Sequence, residues 1–195
     1  SQLRSVKHLV PDLPREFCAL AKQISRRAGN WESALRAMDR KTLRFHLTSF
    51  QSRLFNRVLA ARIESFDRPG LGDLAQVHPA RSFFEVTAEE DLAEVERRAR
   101  DGEISPTGPM FGSRAPLAIG TPGEIELEAL KAEGISPEIF SKRVPSVELA
   151  GERRSLRARI SDLLFRWEDG VLQLNFSLPP GSYATTLIAE LSKTP

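Results

Sequence analysis

At 195 residues the chain is long enough for one sizeable core or two small ones. Hydrophobic residues at 41% and charged residues at 28% exclude disorder along the whole chain, and the net charge of +2 names no partner by itself. No stretch approaches the roughly 20 apolar residues of a membrane-spanning helix and no signal-peptide run opens the chain, so the expectation is a cytoplasmic protein with no membrane partner.

The first predicted element is a helix from Pro14 to Arg27, with Phe17, Leu20, Ala21 and Ile24 at helical spacing and Gly29 to end it. A short helix follows, capped by Asn30 and running through Trp31, Leu35 and Met38. From Thr42 to Phe66 an apolar stripe of Leu43, Leu47, Phe50, Leu54 and Val58, with Phe55, Leu59 and Ile63 beside it, predicts a long helix. Arg53 and Arg57 lie one turn apart on its polar side, near Asn56.

The run Arg68-Pro69-Gly70-Leu71-Gly72 forms turns and marks a candidate boundary near Asp67. Two short strands are expected at Asp73–His78 and Arg81–Val86. Thr87-Ala88-Glu89-Glu90 fits a capping box for a helix through Leu92, Val95 and Ala99 to Gly102. Residues 103–120 hold too many prolines and glycines for a helix and predict a structured loop or irregular strand, in which Thr107, Gly108, Pro109 and Gly112 stand out. A second capping pattern, Thr121-Pro122-Gly123-Glu124, opens an acidic helix to Gly134, and Ser136-Pro137-Glu138 starts a short one.

From Arg153 the apolar period becomes two. Leu156, Ala158 and Ile160, then Leu163, Phe165 and Trp167, then Leu172, Leu174, Phe176 and Leu178 predict half-buried strands. Asp169-Gly170 joins the last two as a hairpin. Pro179-Pro180-Gly181 stops the final strand, and Ser182 to Leu191 predicts a terminal helix with Ser182 as a candidate cap.

Counted in blocks, the charge is uneven. Residues 1–62 hold 13 Lys/Arg against 4 Asp/Glu, residues 85–138 hold 5 against 13, and residues 142–166 hold 7 against 3. Two basic blocks on one surface would attract a phosphate backbone while the acidic middle faced away; equally, each block is a solvated face. The carboxylates between Glu89 and Glu138 read as such a face. Cys18 alone forms no internal disulfide, and His8, His46 and His78 show no metal-ligand spacing. No nucleotide-binding, zinc-protease, redox or serine-hydrolase motif is present, and Asp73 and Asp162 read as strand-end turn residues. The residues therefore predict an α+β protein and no reaction.

Four ordered stretches stand out together: Gln51 to Arg62, similar to an S-x-L-F-N helix; Gly72 to Gln76 followed by Phe84-Glu85-Val86; Glu103 to Gly112, similar to a T-G-P-x-x-G loop; and Leu174 to Thr185, similar to F-x-L-P-x-G-S-Y-A-T. In this order they resemble the TruD family of tRNA pseudouridine synthases. The resemblance implies part of a pseudouridine synthase core, an antiparallel or mixed sheet with helices, interrupted by an inserted α/β domain. Residues 1–66 would be the helical part of the core, 67–150 the insertion, and 151–195 the strands and helix returning to the core.

The activity implied is conversion of one uridine of a tRNA to pseudouridine, without cofactor or metal. The base is taken out of its stack and a carboxylate attacks it or its ribose. The family's aspartate lies in a G-x-K-D context, and an aromatic stacks on the target from an N-Y-F-G-x-Q-R-F-G stretch. Neither occurs here, so no catalytic residue is assigned, and the chain is expected to be a C-terminal part whose further partner is the N-terminal half, otherwise monomeric. Arg53, Asn56, Arg57, Arg157, Arg159, Thr107, Gly108, Ser182 and Tyr183 are the expected tRNA contacts. An arginine common near the family's last helix end is replaced around Ala189. A stand-alone RNA-binding or assembly module without catalysis, or a structural domain with solvated basic blocks, are the other readings.

Overall fold

A computed structural model describes residues 30–141 and 147–192; the expected helix at Pro14–Arg27 lies outside them. Helices α1 (Trp31–Arg36) and α2 (Arg40–Ala61) come first, then strands β1 (Leu74–Val77) and β2 (Phe83–Glu85). Helix α3 (Leu92–Arg100), strand β3 (Ile104–Met110), helix α4 (Gly120–Lys131) and a 3-10 turn at Pro137–Ser141 follow. Strands β4 (Glu152–Ser155), β5 (Ser161–Glu168) and β6 (Val171–Ser177) and helix α5 (Ala184–Ser192) complete the described residues. The architecture is α+β, with sheet orders β2-β1-β3-β4 and β5-β6.

The described residues form two compact units. One joins those up to Ile63 with Gly108–Arg154; the other joins Glu64–Thr107 with Ser155 onward. The chain passes between them after α2, inside β3 and inside β4.

In the first unit, Asp39 starts α2 ahead of the expected Thr42 because its carboxylate accepts the Thr42 N–H at 3.0 Å. The helix stops at Ala61, short of Phe66, with Arg62 as its cap. Leu54 and Val58 pack with Phe111, Ala129 and Leu130, joining α2 to α4 through the residue that follows β3. Gln51 donates to the Phe111 carbonyl from inside this contact. Each large side chain so buried contributes roughly 1.5–3 kcal/mol.

Helix α4 begins at Gly120 after Ile119, with no side-chain cap, so the Thr121–Glu124 box is unused. Glu126 instead reaches back to accept the Ala118 N–H at 2.9 Å, while its other oxygen takes Arg153 Nη1 at 2.7 Å. This ion pair is sealed, with side chains 2% and 1% exposed, and Arg153 also donates to the Pro116 carbonyl at 3.1 Å. The acidic stretch is therefore not uniformly a solvated face. Residues 112–114 run directly along 149–151, with Ser113 and Arg114 N–H groups donating to Leu149 and Ala150 carbonyls at 2.9 and 2.7 Å. A Cβ on Gly112 would fall 2.3 Å from the Gly151 nitrogen, which explains the glycine ending the T-G-P-x-x-G stretch.

In the second unit, β1 pairs antiparallel with β2, in register at Ala75↔Phe84, and with β3, at Ala75↔Pro106. Ala75, Val86, Val95, Ala99 and Ile104 form its core beneath α3. Asp91, not the Thr87–Glu90 box, caps α3, accepting the Ala93 N–H at 3.0 Å. Strand β3 is buried throughout despite Pro106 and Pro109. The Thr107 hydroxyl donates to the Leu74 carbonyl and the Leu156 N–H to the Pro106 carbonyl, so hydrogen bonding continues around the prolines' missing donors.

Strand β4 ends at Ser155, so the alternation through Leu156, Ala158 and Ile160 is not a strand. Ser155 Oγ donates to the Arg157 carbonyl at 2.7 Å and accepts its N–H at 3.3 Å, replacing the ladder with a bend. Asp169 (φ 50°) and Gly170 (φ 76°) form the hairpin turn between β5 and β6 as expected. The half-buried character fails in β5, where every residue is exposed, with Phe165 at 76%, and is met in the second half of β6, where Leu174 and Phe176 are half-buried between exposed neighbours.

Replacing Glu126 by Ala strands a buried guanidinium and should lower unfolding free energy by about 3–5 kcal/mol in urea titrations. Gly112→Ala forces backbone apart and should cost about 1–3 kcal/mol or more, read the same way.

Candidate nucleic-acid interface

Two groups of basic side chains are candidates, one in each unit. In the first, Arg53 and Arg57 stand one turn apart on α2, their Nη2 atoms 3.0 and 2.8 Å from Glu133 Oε1. The arginine side chains are 62% and 43% exposed, and the glutamate 14%. Asn56 beside them is exposed. The acidic block here meets the basic helix instead of facing away from it.

Glu133 is held by how α4 ends. Its N–H donates to the Leu130 carbonyl at 3.0 Å, the Gly134 N–H to Lys131 at 2.9 Å, and the Ile135 N–H to Leu130 at 3.2 Å. Gly134 at φ 69° supplies the left-handed turn that closes the helix. Nothing in one sequence separates Glu133 from its solvated neighbours; the nearest signal is its place just before a C-terminal glycine.

In the second unit, Arg157 is turned inward. Its Nε donates to Ser105 Oγ at 2.8 Å, and its Nη2 to the Ile104 carbonyl at 2.7 Å and to the Ala99 carbonyl. The side chain thus ties the end of α3 to β3, and burial lowers its pKa, opposed by Asp67. Arg159 is the exposed member of the pair. His78 Nε2 lies 2.9 Å from the same Ser105 Oγ. Arg157 donates to the same oxygen, and that hydroxyl's own proton is available to a neutral His78 with a bare Nε2, whereas a protonated ring has only donors to offer. Burial, then Arg157 and Arg159, push the His78 pKa below its ordinary value.

Thr107 and Gly108 are buried inside β3 and present little surface to a ligand. Ser182 is half-buried and Tyr183 is exposed just before α5, which begins at Ala184. The structure therefore brings together Arg53, Asn56 and Arg57 on one helix, and separately Arg157, Arg159 and His78. Among the described residues, no three His, Cys, Asp or Glu side chains are placed to hold a metal, and no helix is long and apolar enough to cross a membrane.

The His78 arrangement has a signed pH dependence. The folded state resists protonating the ring, so stability is retained above the ordinary value of 6.5 and lost progressively as pH falls below it toward the depressed folded value. Urea midpoints measured from about pH 8 to pH 5 should fall for the wild type, and His78→Gln, which keeps an acceptor without titrating, should remove that part of the slope.

The profile of the family described as tRNA pseudouridine synthase D (TruD) matches residues 2–191. The tRNA pseudouridine synthase D of Syntrophotalea carbinolica is 36% identical over 194 residues, covering 100% of this chain and 48% of the relative. That of Geobacter metallireducens is 37% identical over 193 residues, covering 98% and 46%. The crystal structure of a Methanosarcina mazei protein assigned as tRNA pseudouridine synthase D (TruD) superposes with a TM-score of 0.77 at 26% identity, covering 97% of this chain and 48% of that one. The chain spans about half the length of these relatives, and across that span its helices and antiparallel sheets place it in the TruD family of tRNA pseudouridine synthases.

Proposed function

We propose that the chain is the C-terminal part of a tRNA pseudouridine synthase that isomerises one uridine of a tRNA without a cofactor. It supplies the phosphate-gripping and structural side, and the attacking aspartate lies elsewhere in the protein. The observation that carries this reading is the family match across residues 2–191 at about half of the relatives' length, in a chain without the G-x-K-D motif. The exposed β5–β6 hairpin supports it. Leu163, Leu164, Phe165, Trp167, Val171 and Leu172 are all exposed, an apolar surface of the kind that folded proteins cover. The N-terminal half of the enzyme is the partner that would cover it.

Within this reading, residues 1–66 and 151–195 belong to the catalytic core and 67–150 to the insertion. That division is by descent, while the two compact units reflect packing within this chain alone. Arg53, Asn56, Arg57 and Arg159 are the RNA contacts, attracting phosphates rather than reading bases. Arg157 and Thr107 shape the strand beneath, and the protein works as a cytoplasmic monomer.

The test compares the full-length protein with residues 1–195 alone on unmodified tRNA. The full-length protein should form pseudouridine, and the isolated chain none, while still binding tRNA in a salt-sensitive way. Pseudouridine made by residues 1–195 alone would place the nucleophile inside this chain and contradict the reading. Binding without modification by the full-length protein would favour a non-catalytic RNA-binding module.

A further inference from the structure

We infer that Glu133 is a positioning residue, holding Arg53 and Arg57 as a two-guanidinium grip for a single phosphate of the RNA backbone. The inference rests on the proposed RNA contact of these arginines and goes beyond it, since it assigns the grip's geometry to a carboxylate from another element.

Two arginines four residues apart on one helix repel each other, and each long side chain samples many rotamers. A single oxygen of Glu133 lies within 3.0 Å of both guanidinium groups, which makes them converge on one point. That oxygen is buried and has no aligned hydrogen bond, so charge holds the pair, and the N–H groups are not consumed by it. The carboxylate itself cannot drift. The turn closed by Gly134 fixes its backbone, and the packing of Leu54 and Val58 on Ala129 and Leu130 fixes α4 against α2.

Both guanidinium groups remain substantially exposed. Three charges leave a net of +1 at this point, suited to one phosphodiester, whose two free oxygens accept from two donors side by side. A glutamate serving only to neutralise the arginines would weaken RNA binding by repulsion; one that pre-organises them strengthens it by removing the ordering cost from the binding step.

The experiment measures tRNA affinity against salt concentration for the full-length protein, wild type, Glu133→Gln, Arg53→Ala/Arg57→Ala and the combination of all three. Glu133→Gln should weaken binding roughly 3- to 10-fold by returning the ordering cost of two side chains. The salt slope should stay near its wild-type value, since both cations remain. The arginine double variant should flatten the slope, and adding Glu133→Gln to it should change nothing more. Unchanged or tighter binding by Glu133→Gln, or an equal loss in the double-arginine background, would overturn the inference while leaving the RNA reading in place. Failure of the wild type to bind tRNA at low salt would overturn both. If Glu133→Gln does not fold, Arg53→Lys/Arg57→Lys carries the test: charge kept and planar fork lost should give weaker binding at an unchanged slope, and undiminished binding would refute the grip.

Discussion

The apolar contact of Leu54 and Val58 with Phe111, Ala129 and Leu130 is the constraint on which the first unit depends. It seats α2 on α4 and anchors the chain leaving β3, and three polar features follow from it. Gln51 can satisfy the Phe111 carbonyl only because α2 passes over that residue. Glu126 can meet Arg153 in a sealed pair because the same helix presents it inward. Glu133, two residues past the end of α4, reaches Arg53 and Arg57 because the two helices are already in place. The buried ion pair adds little net stability, since removing two charges from water costs about as much as their attraction returns, but neither partner can be removed alone without leaving the other's charge buried.

The second unit is organised around Ser105. Its hydroxyl receives Arg157 and faces His78, so one small buried residue joins β1, β3 and the segment after β4. The backbone helps: the His78 N–H donates to the Glu103 carbonyl at 2.8 Å. An arginine from a basic block is thereby spent on architecture, and Arg153 is spent in the same way in the other unit. Net charge along the chain overstates what is presented to solvent; Arg53, Arg57 and Arg159 are the exposed remainder among the arginines considered for RNA contact.

Element type was largely legible in the amino-acid sequence, because period and turn chemistry act locally. The Asn30 cap, the β1 and β2 strands, the irregular β3 and the Asp169-Gly170 hairpin all follow from such signals. The errors lie where a distant or competing group decided the outcome. Both capping boxes lost to other residues: Asp91 at α3, and at α4 the reach of Glu126 to Ala118. The strand expected through Ile160 lost to a serine bonding its own backbone neighbourhood. Glu126 and Glu133 looked like any solvated helix carboxylate, because only the fold brings Arg153, Arg53 and Arg57 to them. The alternation in β5 marked a face made to be covered, but residues described here do not cover it.

The chain spans about half the length of its TruD relatives. What the chain does carry is a set of exposed arginines on helix α2 and in the bend after β4. The most direct test of this account is photo-cross-linking of full-length protein to unmodified tRNA, followed by mapping of the attached peptides. The account predicts cross-links in the peptides carrying Arg53–Arg57 and Arg159. Their absence from both of these segments would contradict it.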